Sequence, residues 1–217
     1  MEMLTTEQTQ SQTAPAEKSV VTVSDAKGYL VVKRLLDIVF AICAGGILLI
    51  PMLIVALMIR IDSRGPAIFK QERMGRGGKA FVIYKFRTMK QEAPRDVAAC
   101  ELQNPEQFVT KLGGLLRRTS IDELPQVFNI LKGDMSLVGY RPVCLTEEKL
   151  NELRQQYGVF ALRPGITGLA QVSGRDNVDY RTKAQLDAEY VRTCSMKTDV
   201  QCLLKTIRIV VSGEGVN

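Results

Sequence analysis

Asp122 and Glu123 are adjacent acids set between two basic groups, Arg117 and Arg118 on one side, Lys132 and Arg141 on the other. Acids held between cations suit chemistry at a phosphate ester. An aspartate can attack phosphorus, a metal ion can bridge the anions, and arginines can take up phosphoryl charge. The surrounding stretch, residues 115–142 (LLRRTSIDELPQVFNILKGDMSLVGYRP), also reads as an ordinary helix start. Ser120-Ile121-Asp122-Glu123 fits a capping box, and the helix dipole favours acids in the first turn. Pro125 argues against Ser120 as the cap, because it would then be the fifth helical residue. With Asp122 as the cap, Pro125 falls at the third position, where a backbone N–H has no intrahelical partner anyway. The residues alone leave a structural cap and a catalytic dyad both open.

Composition narrows the chemistry. The 217-residue chain has no histidine, which excludes a histidine base, triad or metal ligand. Its five cysteines (Cys43, Cys100, Cys144, Cys194, Cys202) contain no C-x-x-C pair, so they read as reduced thiols in a cytosolic setting, not as a zinc site or disulfide framework. The net charge is +6, and four acids against one base in residues 1–26 leave the remainder at about +9. A basic body points to anionic partners. The bases are scattered through turns, and no nucleic-acid-binding motif appears, so nucleic acid is not an expected partner. The residues set no oligomeric state.

The elements that must position the acids begin with a membrane signal. Residues 38–59 run for 22 positions without a charge. As a straight helix they measure roughly 33 Å, about the hydrocarbon thickness of a bilayer. Pro51 lies near the middle, after Gly45-Gly46, and both flanks are basic: Lys27, Lys33 and Arg34 before, Arg60, Arg64, Lys70 and Arg73 after. Charge at both ends fits a helix that bends at Pro51 and returns to the same face; a kinked spanning helix is the alternative. Residues 1–26, rich in Thr, Gln, Ser and Glu, read as a disordered leader without a secretory signal.

Beyond the apolar run, residues 61–89 read as short extended segments with turns at Arg64-Gly65-Pro66 and Gly75–Gly78. Residues 90–110 read as a loop with a short helix. The helix after the acids is expected to stop near Lys132-Gly133. Helices are also expected over 146–157, 180–191 and 199–211, with turns at 163–168 and 173–176 and a short strand at 169–172. The last helix is amphipathic and basic, which suits a membrane interface.

Five motifs stand in a fixed order: KRLLDI at Lys33, GPAIFKQERMGRGGKAFVIYKFRTM from Gly65, RRTSIDELPQVFNILKGDMSLVGYRP from Arg117, RPGITGLAQVSGR from Arg163 and DAEYV from Asp187. Through them the chain resembles the bacterial sugar transferases, the monotopic polyprenyl-phosphate phosphoglycosyl transferases, over about residues 33–211. The family's usual GPRP is here Gly139-Tyr140-Arg141-Pro142, and its usual asparagine after SGR is Asp176. Losing the first proline loosens that turn.

The resemblance implies an α+β protein: a mostly helical cytoplasmic domain with short strands, anchored by a proline-broken re-entrant N-terminal membrane helix and interfacial amphipathic helices. The divisions are a disordered leader (1–28), the re-entrant membrane hairpin (29–64) and the catalytic domain (65–217), on the cytoplasmic face of the bacterial inner membrane. It further implies transfer of a sugar-1-phosphate from a nucleotide diphosphate sugar, commonly a UDP-sugar, to polyprenyl phosphate, releasing the nucleoside monophosphate in envelope glycan synthesis. Asp122 would be the nucleophile and hold Mg²⁺, and Glu123 would act as base or orienting partner. Arg117 and Arg141 would bind phosphate, with Lys85, Arg163 and Arg175 as further substrate-site residues. The alternatives are a catalytically degenerate membrane-bound scaffold and an electrostatic adaptor protein.

Overall fold

The computed structural model describes residues 27–94, 104–174 and 179–212. The leader and Arg175 therefore lie outside the described residues, except that Lys27 and Gly28 already belong to the first helix.

That helix, α1 (Lys27–Asp62), runs for 36 residues. The hairpin expected over 29–64 does not appear as two elements, because the helix continues on both sides of Pro51. A proline removes one ladder bond and kinks a helix, and a strongly apolar sequence on both flanks carries the helix past it. One stripe of α1 is buried, Lys33, Asp37, Ala41, Met52 and Ile59. The other faces expose large apolar side chains, with Ile47 at 76 % and Ile50 at 69 %.

Two strands follow, β1 (Ile68–Met74) and β2 (Ala80–Phe86), paired antiparallel from Ile68↔Phe86 to Met74↔Ala80. Next come α2 (Lys111–Arg118), a tight 3₁₀ segment over Ile121–Gln126, and α3 (Val127–Lys132). α3 stops where expected, at Gly133, whose φ of 93° suits a residue without a Cβ. Then come β3 (Ser136–Val138), α4 (Glu148–Gln156), β4 (Gly165–Thr167), α5 (Leu169–Ser173), α6 (Tyr180–Thr193) and α7 (Met196–Ser212).

Two local expectations are corrected. Residues 165–167 form a strand parallel to β3 instead of continuing the turn, and 169–173 form a helix instead of a strand. The first pairing joins three-residue segments far apart in sequence, so no local pattern announces it. The second is a short apolar run, which periodicity does not assign.

This helix belongs to the core. Ala41, Met52 and Ile59 of α1 pack with Ile83 and Phe86 of β2, Leu116 of α2, and Val127 and Ile130 of α3. The domain also grips α1 along its length. Near the start, Lys33 Nζ donates to Asp199 at 2.6 Å, and Tyr29 and Tyr190 hydroxyls donate to the same carboxylate at 2.8 and 2.6 Å. Asp37 accepts from the Leu137 N–H at 3.0 Å. Beyond the far end, the Arg87 guanidinium donates to the Ser63 carbonyl at 2.7 Å and the Arg64 carbonyl at 2.8 Å. Gly65 follows with φ 115°, and a Cβ there would fall 2.3 Å from Arg87 Nη1, so this turn requires glycine.

Candidate active site

The acids sit in the 3₁₀ segment that leads into α3. Ser120 enters it with a left-handed φ of 57°, and the Glu123 N–H donates to the Ser120 carbonyl at 3.1 Å. No side chain caps this segment or α3. The expected cap at Asp122 is therefore absent. The tight turn accommodates Pro125 and satisfies a backbone N–H by itself, leaving both carboxylates available for other partners.

Glu123 takes the cations. Lys85 Nζ donates to its Oε1 at 2.7 Å and Arg141 Nη2 to the same oxygen at 3.3 Å. Burial alone would raise the Glu123 carboxyl, but Lys85 and Arg141 outweigh it and hold the group down at about 2. Asp122 is buried, at 8 % exposure, and lies within the fields of Lys85, Arg117 and Arg141 without forming either of these ion pairs. Burial lifts its carboxyl above the usual aspartate range, Lys85 opposes that rise and Glu123 adds to it. Two neighbouring acids are thus pushed apart, one fixed as an anion and the other strained as one.

The cations reach the site from separate elements. Strand alternation puts Lys85 of β2 on the face shared with Arg73 of β1 (Phe69 pairs with Lys85, and Arg73 with Phe81). Arg117 comes from the last turn of α2, a helix capped by Thr110, and its Nε donates to Thr88 Oγ1 at 2.9 Å. Burial lowers Arg117 from the ordinary arginine value, and Asp122 opposes that. Arg141 is held through its backbone: fully buried Arg154 donates to the Arg141 carbonyl at 2.9 Å and to Asp187 at 2.6 and 2.9 Å.

Tyr140, in place of the family's proline, turns inward. It is 1 % exposed, packs edge-on to Phe160 at 5.6 Å, and lies under the Arg154 guanidinium at 5.1 Å. The Gly165 N–H donates to its carbonyl at 2.9 Å. The turn expected to be loosened is pinned by side-chain packing instead.

Asp122, Glu123, Lys85, Arg117 and Arg141 all line one cavity of about 1830 Å³, which also reaches Phe40, Ala44 and Leu48 of α1. That is larger than a typical single-ligand pocket of roughly 300–1,000 Å³ and leaves room for two substrates. Arg163 is not brought to this cavity; its Nε donates to the Gly133 carbonyl at 2.8 Å, beyond the far end of α3. Arg73, missed in the sequence reading, does line the cavity and lies within the fields of Arg141 and Glu123. Its motif from Gly65 pointed to the strand but not to which face mattered. Thr88, Arg154 and Asp187 were likewise missed as supports; Thr88 stands in the motif from Gly65 and Asp187 in DAEYV, while Arg154 stands in neither.

Residues 28–213 match the family model described as bacterial sugar transferase. The chain is 41 % identical over 201 residues to the galactosyl transferase CpsE of Streptococcus agalactiae, covering 86 % of this chain but 44 % of that protein. It is 40 % identical over 190 residues to the uncharacterized sugar transferase EpsL of Bacillus subtilis, covering 86 % of this chain and 91 % of that one. It is 41 % identical over 184 residues to the UDP-glucose:undecaprenyl-phosphate glucose-1-phosphate transferase of Caulobacter vibrioides, covering 81 % and 68 %. The chain thus spans less than half of some relatives and most of others. On the family model and the near full-length match, the chain belongs to the bacterial sugar transferase family.

Proposed function

We propose that this chain is a polyprenyl-phosphate phosphoglycosyl transferase. It moves a sugar-1-phosphate from a nucleotide diphosphate sugar, a UDP-sugar, to undecaprenyl or another polyprenyl phosphate, in a first membrane step of envelope glycan or exopolysaccharide synthesis. The observation that carries this reading is the division of labour in the acid pair: Glu123 absorbs Lys85 and Arg141, while buried Asp122 faces the same basic cavity.

The Asp122 carboxylate attacks the sugar-side phosphorus of the donor. An oxygen–phosphorus bond forms, the phosphoanhydride bond breaks, and the nucleoside monophosphate leaves with the bridging oxygen. An oxyanion of polyprenyl phosphate then attacks the same phosphorus, and the Asp122 carboxylate leaves. Neither step requires a proton to be removed, since carboxylate and phosphate are already ionised, which suits a site without histidine. A group held at about 2 is a poor base at neutral pH, so Glu123 acts by fixing Lys85 and Arg141 where phosphoryl charge must be balanced. Desolvation strengthens Asp122 as a nucleophile by denying its anion a water shell.

Among the described residues no group of three or more metal-ligating side chains converges. One carboxylate is enough for Mg²⁺, which commonly combines one or two carboxylates with substrate phosphates and water, so Asp122 beside a bound diphosphate fits it. When bound, Mg²⁺ would neutralise diphosphate charge.

Both ends of α1 are tied to the same domain, through Lys33 to Asp199 and through Ser63 to Arg87. A helix crossing the bilayer would carry these ends to opposite faces. This supports a re-entrant anchor bent at Pro51, with the exposed apolar faces of α1 and α7 in the membrane and the cavity on the cytoplasmic side. A panel of UDP-sugars with undecaprenyl phosphate, read as UMP release, tests the activity. Donor incubated without acceptor should leave a phosphosugar on the protein that Asp122→Asn lacks; labelling elsewhere, or turnover by that variant, refutes the nucleophile.

A further inference from the structure

Arg163, expected at the substrate site, instead joins a second basic group beyond the C-terminus of α3. Arg34 of α1 donates to the Ile130 carbonyl at 2.8 Å and the Leu131 carbonyl at 3.2 Å, and Arg163 to the Gly133 carbonyl at 2.8 Å. A Cβ on Gly133 would lie 3.5 Å from Arg34 Nη2, so both guanidinium groups rest against one residue. Arg76, in the β1–β2 connection, donates to the Ala161 carbonyl at 3.2 Å, two positions before Arg163.

These arginines satisfy helix-end and loop carbonyls, which accounts for a minority of their fifteen or so N–H donors (about five per guanidinium). None of the three forms an ion pair among the described residues. Asp134, next in the chain, faces Lys132 at 3.6 Å instead. The carboxylate acting on Arg163 is Asp37, already engaged by the Leu137 N–H. Burial lowers Arg163, and Arg76 and Arg34 lower it further against the opposing pull of Asp37, so Arg163 lies within the fields of both other cations.

Their place on the molecule identifies the missing anion. Arg34 lies four residues before the charge-free run of α1, and its neighbours Val31 and Leu35 expose apolar side chains at about 60 %. At that level of a membrane-inserted helix the available anions are lipid phosphates. We propose that Arg34, Arg76 and Arg163 bind the phosphate of an anionic phospholipid headgroup where α1 enters the bilayer. The site is separate from the catalytic cavity, which none of the three lines. The inference rests on the membrane reading of α1.

The test uses the full chain transferred from detergent into vesicles of phosphatidylcholine alone or with increasing phosphatidylglycerol, followed by its thermal midpoint. The wild-type midpoint should rise with phosphatidylglycerol. Arg76→Gln and Arg163→Gln should each need about five-fold more of it for the same rise. Arg76→Gln changes an exposed side chain bonded to one loop carbonyl, so it stays informative if Arg163→Gln folds poorly. Arg192→Gln, which removes the same charge from the exposed side of α6, should behave as wild type. Inorganic phosphate on detergent-held protein should leave the midpoint unchanged; an equal rise would mean a general anion site and overturn the lipid assignment. Wild-type response in both Arg76→Gln and Arg163→Gln would also overturn it. Failure of the wild type to enter either vesicle would instead refute the membrane reading of α1.

Discussion

The segment from Ile121 to Gly133 has arginines at both ends, and the two ends treat them differently. At the start, Arg141 and Lys85 meet a carboxylate, Glu123, on one oxygen. Beyond the end, Arg34 and Arg163 meet neutral carbonyls. A carboxylate fixes its cations and cancels part of their charge, which gives a rigid site that stays net positive. Carbonyls fix them equally well and leave the charge in place, which gives a site waiting for an anion. In the proposed reading, similar side chains serve a reaction centre at one end and an electrostatic contact at the other.

The sharpest way to separate the two ends is Asp122→Asn, which should lower UMP release by roughly 10⁴-fold or more, while Arg76→Gln leaves release in detergent unchanged. The same Asn variant should melt higher than wild type at neutral pH. Burial raises the Asp122 carboxyl in the fold, so its ionised form costs stability above the ordinary aspartate value, and that cost is absent in Asn. Arg141→Ala should cost about 10²–10³-fold in kcat/KM, as for loss of one charge-stabilising donor, and should not alter the response to phosphatidylglycerol.

Tyr140→Pro restores the family's usual residue and tests whether packing or proline stiffness holds the loop. Losing the buried ring should destabilise the fold by about 3 kcal/mol, lowering the midpoint by roughly 6–12 °C, with Arg141-dependent kinetics preserved if Arg154 alone places that carbonyl. The smallest effect is in the acid limb. Glu123 is depressed in the fold, so its contribution is complete above the ordinary glutamate value near 4.5 and is lost as pH falls toward about 2. Glu123→Gln should be less stable than wild type at pH 7, with the gap closing across that window in a melting series.

Much of the architecture was legible because its signals are local. The charge-free run over 38–59, the glycine stop at Gly133 and the amphipathic α7 each announce themselves within a few turns. The acid pair was legible as chemistry through its cations, and Lys85 and Arg141 do converge on it. What stayed hidden depends on long-range contacts. Arg117 and Arg163 each open a motif, yet Arg117 lines the cavity while the Arg163 guanidinium is turned to the Gly133 carbonyl beyond α3. Asp122 as a cap failed for a similar reason: a 3₁₀ turn, set by packing against β2, took up Pro125 without needing a side-chain acceptor. Arg73 was invisible because strand parity matters only once the partner strand is known.

The grip on α1 at both ends sets a rule for how this protein tolerates changes in length. Lys33 and Ser63 are fixed to Asp199 and Arg87, so the turns between them must stay in phase. One inserted residue rotates everything beyond it by about 100° and advances it about 1.5 Å. An insertion after Gly46 would therefore turn Met52 and Ile59 out of the core and pull Ser63 from Arg87. The length and phase of α1 are set by the domain that holds both of its ends, not by the helix alone.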